Sequence, residues 1–278
     1  MRIARFVRAG VESWGLVTDR GIVDRSHLAV GADDVRSLIA SGQRLEVPAA
    51  VPTISTEEVE LLPPVELHKV VCAGVNFHTH RAEARLDTER PPYPTIFTRF
   101  PDSHVGHGVE IIKSDAIERF DYEGELAVVI GRRADNVSVG DALGYVYGYS
   151  CFDDGSARDW QKHAMQWAPG KNFARSGSMG PYLVTADEVP TIGDSWLETR
   201  VNGEVRQRAQ IHDMIFSIAE LIAYVSTFTP LEPGDVIAAG TPGGVGLFMD
   251  PPTFLDVGDI VEVEIDGVGV LRNRIGHD

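Results

Sequence analysis

The chain has 278 residues, 43% of them hydrophobic and 24% charged, which suits a globular protein with one large domain or with one large and one small domain. Its 41 acidic residues outnumber its 25 basic residues, and the net charge of −16 argues against nucleic-acid binding, because phosphate contacts need a basic face. No apolar run is long enough for a transmembrane helix, and residues 1–6 lack the pattern of a secretory signal, so we expect a cytoplasmic protein that binds no membrane.

Residues 1–65 are predicted to form a small N-terminal α/β lobe. Short apolar runs end at turn residues, which is typical of strands, and one segment has the apolar spacing of a helix. The expected strands cover residues 3–7, 14–17 and 22–23, and the expected helix covers residues 33–40. A proline-rich connector follows over residues 48–64, so we expect the second domain to cover residues 66–278.

Strands dominate the predicted second domain. Asn202-Gly203 and Asp266-Gly267 each join two strand-like segments, as two-residue hairpin turns do. One helix is predicted over residues 214–228, where apolar residues follow a period of 3.6, with Asp213 as its N-cap. The sequence therefore predicts a mostly-β fold with few helices and argues against a TIM barrel or a Rossmann sheet. Two apolar runs of strand length cover residues 70–73 and 126–130.

Two glutamates precede the longer apolar run at alternate positions of one strand. Glu123 and Glu125 therefore point to the same face, where two carboxylates repel each other unless positive charge lies between them. A solvated strand end is the simpler interpretation, but the adjacent core favours a functional one. An acid of the pair Asp153-Asp154 could complete a site of oxygen ligands, which suits Mg²⁺ or Mn²⁺ better than zinc, although such a pair before glycine more often forms a turn.

A histidine and a glutamate three residues apart form the second candidate group. On a helical turn His80 and Glu83 share a face, and a carboxylate that orients an imidazole makes a general base near neutral pH. An ordinary surface histidine beside a solvated glutamate explains the spacing equally well. Zinc ligation by His78 and His80 is a third interpretation, but the sequence has no further histidines at ligand spacing.

Two further segments offer contacts to a ligand. The glycine-rich residues 240–246 follow an apolar strand and would let backbone N–H groups approach an anion. No Lys-Ser/Thr pair follows them, so the segment is not a nucleotide-binding loop. Lys171 lies between glycine and aromatic neighbours, where a plain surface lysine is the default interpretation.

Six segments together, in their order and spacing, resemble the fumarylacetoacetate hydrolase family over about residues 69–275, and within it the branch that is similar to acylpyruvate hydrolases and 2-hydroxyhepta-2,4-diene-1,7-dioate isomerases. Each segment alone is weak evidence, but six in register are specific. The resemblance implies a mixed β-roll or barrel fold, usually a homodimer, that acts on a small oxo acid. The segments are Asn76-x-x-x-His80-x-x-Glu83, Asp121 to Gly131, Asp154-x-Ser156-Ala157-Arg158-Asp159-x-Gln161, Gly170-Lys171, Val201 to Glu204 and Gly240 to Gly246.

The resemblance also implies roles for single residues. His80 and Glu83 would activate water, and Lys171 would stabilise the negative charge that develops on the substrate. Arg99 stands where many relatives carry lysine, which could alter substrate preference. The implied site assigns Mg²⁺ or Mn²⁺ to Glu123, Glu125 and Asp154, catalysis to His80, Glu83 and Lys171, and substrate binding to Arg99, Gln161 and Thr241.

These roles favour a metal-dependent hydrolase that cleaves a C–C bond of a 3-acylpyruvate or a related β-diketo acid with activated water. Decarboxylation or tautomerisation of a 2-oxo dicarboxylic acid is the alternative, because stabilisation of an enolate serves these reactions too. Oxaloacetate and a 2-hydroxymuconate-like compound would be its substrates. A non-catalytic metal-binding protein is the third hypothesis and ranks last, since every presumed metal ligand is present.

Overall fold

The computed structural model describes residues 1–87 and 89–278 and has a mostly-β fold. Its helices are α1 (Val35–Ser41), α2 (His78–Glu83), α3 (Val139–Ala142), α4 (Arg158–Gln161), α5 (Ala168–Lys171) and α6 (Ile218–Phe228). Its strands are β1 (Arg2–Arg8), β2 (Val11–Thr18), β3 (Gly21–Asp24), β4 (Glu60–Leu61), β5 (Val70–Gly74), β6 (Thr95–Arg99), β7 (His104–Val105), β8 (Ile111–Lys113), β9 (Phe120–Asp121), β10 (Gly124–Ile130), β11 (Val146–Asp153), β12 (Ser156–Ala157), β13 (Gly177–Thr185), β14 (Trp196–Val201), β15 (Glu204–Gln210), β16 (Val236–Ala238), β17 (Ile260–Ile265) and β18 (Gly269–His277).

The strands of the described residues form three sheets. The largest has eleven strands and runs in the order β3-β2-β1-β13-β11-β10-β16-β5-β6, with β4 paired to β1 and β7 paired to β13. A second sheet has the order β15-β14-β17-β18-β8, and β9 pairs with β12. The predicted mostly-β fold with few helices is confirmed. Within the described residues none of the sheets closes into a barrel, so the barrel form of that prediction is not found.

The N-terminal strands extend the large sheet. Strand β1 pairs antiparallel with β13, with Ile3 opposite Leu183, although 180 positions of chain separate the two residues. The predicted helix of this region is present as α1 and begins after Asp34, whose side chain accepts a hydrogen bond from the backbone of Ser37. Because the sheet is continuous across residue 65, the proposed domain boundary stays a prediction.

The two hairpin predictions have different outcomes. Asn202 and Gly203 join β14 to β15 with φ angles of 52° and 81°, which is the left-handed conformation that a two-residue hairpin turn requires. The second turn is longer than predicted. Ile265 pairs with Gly269, so three residues, 266–268, connect β17 to β18.

The predicted long helix begins four residues later than expected. Helix α6 begins at Ile218, and Ser217 is its N-cap, with Glu220 completing a capping box. Asp213 instead belongs to a separate 3₁₀ turn over Ile211–Asp213. No helix in the described part of the chain is long and apolar enough to cross a membrane.

Strand β10 is an interior strand of the large sheet, and the acidic pair Glu123 and Glu125 lies where it begins. It is buried at every position, between β11 and β16. Leu126 and Val128 belong to one hydrophobic cluster, whereas Ala127 and Val129 belong to another on the opposite face. Two buried faces explain the continuous apolar run of the sequence. The carboxylates that precede this run are consequently fixed at the rim of a packed core.

Candidate active site

Three acidic side chains meet where β10 and β11 pair. Gly124 lies opposite Asp153, and the backbone N–H of Asp154 donates to the carbonyl of Glu123 at 2.9 Å. This pairing brings Glu123, Glu125 and Asp154 together, with one oxygen of each within 4.8 Å of the others. All three are buried. Oxygen-only donors of this kind fit a hard divalent ion such as Mg²⁺ or Mn²⁺.

Three buried cations surround these carboxylates. Lys171 donates through Nζ to Glu123 Oε2 and to Asp154 Oδ2, both at 2.6 Å. Arg158 Nη1 lies 2.7 Å from Glu123 Oε1, and Arg99 Nη1 donates to Asp154 Oδ1 at 2.7 Å. The default interpretation of Lys171 as a surface residue is wrong, because only 1% of its side chain is exposed.

Glu123 and Glu125 differ in how well nearby cations balance their charges. Burial and the charges of Asp154 and Glu123 raise the pKa of Glu125 well above its ordinary value. Burial also opposes ionisation of Glu123, yet the charges of Lys171 and Arg158 hold its pKa below the ordinary range. A cation that binds beside a buried carboxyl with a raised pKa stabilises the ionised form of that carboxyl. The donor set therefore fits a divalent cation.

Helix α2 supplies the predicted dyad. His80 Nδ1 and Glu83 Oε1 are 2.6 Å apart, and the second oxygen of Glu83 accepts a hydrogen bond from the backbone N–H of Gly244 at 2.7 Å. This arrangement leaves Nε2 as the ring nitrogen available to a ligand. The His80 ring is buried beside Phe248, with ring centroids 6.0 Å apart. His78 is exposed, and the described metal-ligand group contains carboxylates rather than histidines.

The glycine-rich loop binds acceptors of the chain itself. Backbone N–H groups of Gly240, Gly244 and Gly246 donate to Glu125, Glu83 and Asp121 at 2.7–2.9 Å. Gly244 has a φ of 107°, and a Cβ there would lie 2.0 Å from a backbone oxygen of Arg206. The glycines thus permit close contact with protein carboxylates, whereas the sequence suggested contact with an external anion.

A buried amide that the sequence analysis missed fixes Thr241. Gln207 Nε2 donates to Thr241 Oγ1 at 2.7 Å, and Gln207 Oε1 accepts from the backbone N–H of Gly124 at 3.0 Å. Thr241 Oγ1 in turn donates to the carbonyl of Gly124 at 2.9 Å. Gln207 therefore ties the loop to Gly124, the first residue of β10, which lies between the two glutamates. Its position just beyond the Asn202-Gly203 hairpin was the only sequence signal.

A cavity of about 220 Å³ joins the dyad to the acidic cluster. Arg158 also lines it and was not assigned a role from the sequence. Within the described residues its Nη2 is buried without a hydrogen-bond partner. In the sequence, Arg158 lies three residues before Gln161, so both share one face of a helical turn. This spacing could have indicated that Arg158 belongs to the site. The predicted site residues on the cavity wall are His80, Glu123, Glu125, Gln161, Lys171 and Thr241.

Three predicted residues lie behind the wall or support it. Glu83 and Asp154 act on the cavity through His80 and through the acidic cluster, respectively. Arg99 has no exposed side-chain surface, and its guanidinium binds Asp154. Substrate contact by Arg99 stays a prediction, and the structure gives this side chain a different partner.

Comparisons with known proteins agree with this site. Residues 69–276 match the family model described as fumarylacetoacetate (FAA) hydrolase C-terminal. Oxaloacetate tautomerase YisK of Bacillus subtilis is 42% identical over 226 residues, which are 80% of this chain and 75% of that protein. A fumarylacetoacetate hydrolase structure from Exiguobacterium antarcticum has a TM-score of 0.89 and 35% identity, with all of both chains covered. A 2-hydroxyhepta-2,4-diene-1,7-dioate isomerase from Mycobacterium marinum has a TM-score of 0.80 and 29% identity, with 100% and 99% covered.

These matches correct one prediction. The chain was expected to be a hydrolase of C–C bonds, but that assignment is wrong, because curated relatives from Bacillus subtilis and from mammals bear the name oxaloacetate tautomerase. The sequence could not separate the two reactions, since both use a divalent ion and a general base beside a carbonyl group. The predicted family and its isomerase-like branch are confirmed.

Proposed function

The chain belongs to the fumarylacetoacetate hydrolase family, and we propose that it is a metal-dependent tautomerase of a 2-oxo dicarboxylic acid such as oxaloacetate. One observation carries the proposal: His80, which is hydrogen-bonded to Glu83, lines the same cavity as the buried Glu123 and Glu125. Keto–enol interconversion needs a general base to move the proton and a cation to stabilise the enolate oxygen, and this site offers both positions. The relatives named oxaloacetate tautomerase support the choice of substrate.

The cofactor in this proposal is Mg²⁺ or Mn²⁺, held by Glu123, Glu125 and Asp154. When bound, such an ion acts as a Lewis acid and polarises the carbonyl group next to the reacting carbon. The protein keeps water away from the site by burial, which strengthens each electrostatic contact in it. The backbone N–H of Gly240 holds one carboxylate oxygen of Glu125 in place. Arg99 does the same for one oxygen of Asp154.

His80 and Glu83 carry out the proton transfer in this proposal. His80 Nε2 takes a proton from C3 of the keto acid while the C2–C3 double bond forms and negative charge moves to the oxygen on C2. That oxygen then takes a proton, which completes the enol, and the reverse sequence returns the ketone. Glu83 stabilises the imidazolium that exists between the two transfers. No other reactant is consumed, so atoms and charge balance.

Cationic groups on the cavity wall stabilise the negative charge of this step. Lys171 and Arg158 both line the cavity and are buried, which makes each charge effective at short range. Arg158 has an additional donor to offer, since Nη2 is without a protein partner in the described part of the chain. Gln161 lies on the same wall and would orient the substrate through its amide.

A longer substrate is the second candidate. One part of the cavity wall is apolar and includes Phe97, Trp167, Leu247 and Phe248. A four-carbon dicarboxylate has no apolar surface to place there, whereas an unsaturated 2-hydroxy dioic acid of seven carbons has. Isomerisation of such a dienoate requires the same proton transfers beside the same carbonyl.

The test is an assay of the oxaloacetate enol by ultraviolet absorbance with Mg²⁺, Mn²⁺ or EDTA. Loss of the enol signal at an enzyme-dependent rate that EDTA abolishes would support the proposal. Release of carbon dioxide instead would identify a decarboxylase. No effect on either oxaloacetate or the longer dienoate would contradict the proposal. Homodimer formation and a cytoplasmic location stay predictions.

A further inference from the structure

We propose that Arg99 is a positioning residue that fixes Asp154 for metal binding, rather than a contact for substrate. This inference rests on the proposed function, because it concerns the same cation site. The family resemblance instead implied that Arg99 binds substrate. The residue touches no reacting atom and acts through the carboxylate it holds.

Arg99 satisfies a complete set of acceptors inside the protein. Nη1 donates to Asp154 Oδ1 at 2.7 Å and to the carbonyl of Gly155 at 3.2 Å. Nη2 donates to Ser176 Oγ at 2.7 Å and to the carbonyl of Ser103 at 3.3 Å, and Nε donates to Ser103 Oγ at 3.2 Å. Neither Arg99 nor Asp154 has any exposed side-chain surface. The guanidinium is thus fully occupied and has no donor left for a substrate.

The surrounding backbone is shaped for this planar group. A Cβ added at Gly177 would lie 2.7 Å from Nη1 of Arg99, so the glycine leaves the space that the guanidinium fills. Ser103 and Ser176 close the other side with hydroxyl groups. Five hydrogen bonds fix the guanidinium of Arg99, and the guanidinium in turn fixes the carboxylate of Asp154.

The two carboxylate oxygens of Asp154 therefore have different partners. Arg99 takes Oδ1, which leaves Oδ2 in the acidic cluster beside Glu123, where Lys171 also binds it. A carboxylate free to rotate would spend part of its time with neither oxygen directed at the cation. Partners that orient a metal ligand typically change metal affinity by roughly 10–100-fold when they are removed.

Lysine at this position is not equivalent. An ammonium group keeps the charge but offers its three hydrogens from one nitrogen, so it cannot reach all the acceptors that surround the edges of the planar guanidinium. Phe97, two residues earlier on β6, projects from the same face and lies 5.1 Å below the Nζ of Lys171. One face of β6 therefore supports two charged members of the site.

The test measures Mn²⁺ binding by calorimetry in the absence of substrate for the wild type, Arg99→Lys and Ser176→Ala. We expect the dissociation constant to rise about 10–100-fold in Arg99→Lys and by a smaller factor in Ser176→Ala, which loses one bond to the guanidinium. Excess Mn²⁺ should return the kcat of Arg99→Lys toward the wild-type value, with the KM for oxaloacetate unchanged.

Arg36→Lys is the matched control. Arg36 also pairs with a buried carboxylate, Asp235 at 3.1 Å, but outside the site, so its replacement should lower the melting temperature without changing Mn²⁺ affinity. Wild-type Mn²⁺ affinity in Arg99→Lys, or a raised KM at saturating Mn²⁺, would overturn the inference. If Arg99→Lys does not fold, unchanged affinity in Ser176→Ala overturns it. Failure of the wild type to bind Mn²⁺ would instead refute the proposed function.

Discussion

Glu83 accepts a hydrogen bond from the backbone N–H of Gly244 at 2.7 Å, and this contact joins the helix of the general base to the glycine-rich loop. The same loop donates from Gly240 to Glu125. One segment of backbone thereby positions both the proton-transfer group and a metal ligand. The distance between these two parts of the site is set by main-chain geometry, which few side-chain substitutions disturb.

Replacement of the base itself should affect chemistry and leave the metal in place. We expect His80→Ala to lower kcat by roughly 10²–10⁴-fold, the usual contribution of a general base, with Mn²⁺ affinity unchanged. His78→Ala is the control, because His78 lies on the same helix but is exposed. Wild-type kcat in His80→Ala, measured with oxaloacetate enol, would remove the histidine from the mechanism.

The partner of the histidine is expected to act through charge. Glu83→Gln keeps an acceptor for the N–H of Gly244, so the helix should stay docked and the melting temperature should change little. The neutral amide cannot stabilise an imidazolium at His80, so we expect kcat to fall by at least about tenfold. Equal kcat values for Glu83→Gln and the wild type would show that the carboxylate only anchors the helix.

Removal of one metal ligand should separate binding from folding. Burial and its acidic neighbours raise the pKa of Glu125, so the charge of this residue is costly when no cation compensates it. Glu125→Gln should therefore abolish Mn²⁺ binding and metal-dependent turnover, while the melting temperature in EDTA equals or exceeds that of the wild type. Metal-dependent activity at the wild-type level in this variant would contradict the assigned ligand set.

Part of the site could be predicted from local sequence and part could not. The acids Glu123 and Glu125 at the start of β10 are close in sequence, and so are His80 and Glu83. Strand alternation and helical spacing therefore predicted that the members of each pair share a face. The pairing of β1 with β13 and the contact of Gln207 with Thr241 depend on segments far apart in the chain. Local patterns carry no information about such contacts.

The role of a charged residue was also hidden, because sequence does not report what a side chain touches. The resemblance assigned Lys171 to catalysis and Arg99 to substrate binding, yet Lys171 lines the cavity and Arg99 lies behind Asp154. The glycine-rich loop suggested an anion from outside, whereas its N–H groups bind Glu83 and Glu125. Tertiary structure decides these assignments.

The amide of Gln207 offers a test of the loop. Gln207→Leu removes the donor to Thr241 Oγ1 and the acceptor for the N–H of Gly124. Leaving these buried groups unpaired should cost roughly 1–3 kcal/mol of folding free energy and lower kcat through misplacement of the adjacent glutamates. Gln210→Leu, on the same strand and less buried, is the control. Denaturant unfolding together with kcat would check both effects.

A buried histidine outside the site should make stability depend on pH. Burial and the charge of Arg99 lower the pKa of His104 well below 6.5, so the folded state keeps this ring neutral. Below pH 6.5 the unfolded chain binds a proton that the folded state does not, and the free energy of unfolding should fall by up to about 1.4 kcal/mol per pH unit from this group.

His104→Gln should remove that dependence. As the pH falls from about 7 to about 5, the free energy of unfolding of the wild type should fall more than that of the variant. The reason is that only the wild type can bind a proton at position 104 on unfolding. His212→Gln is the control, since His212 is exposed and its replacement leaves the buried ring untouched. Parallel curves of unfolding free energy against pH for His104→Gln and the wild type would show that the His104 ring accepts its proton in the folded protein, and that its burial between Ser103 and Phe152 does not exclude the charge.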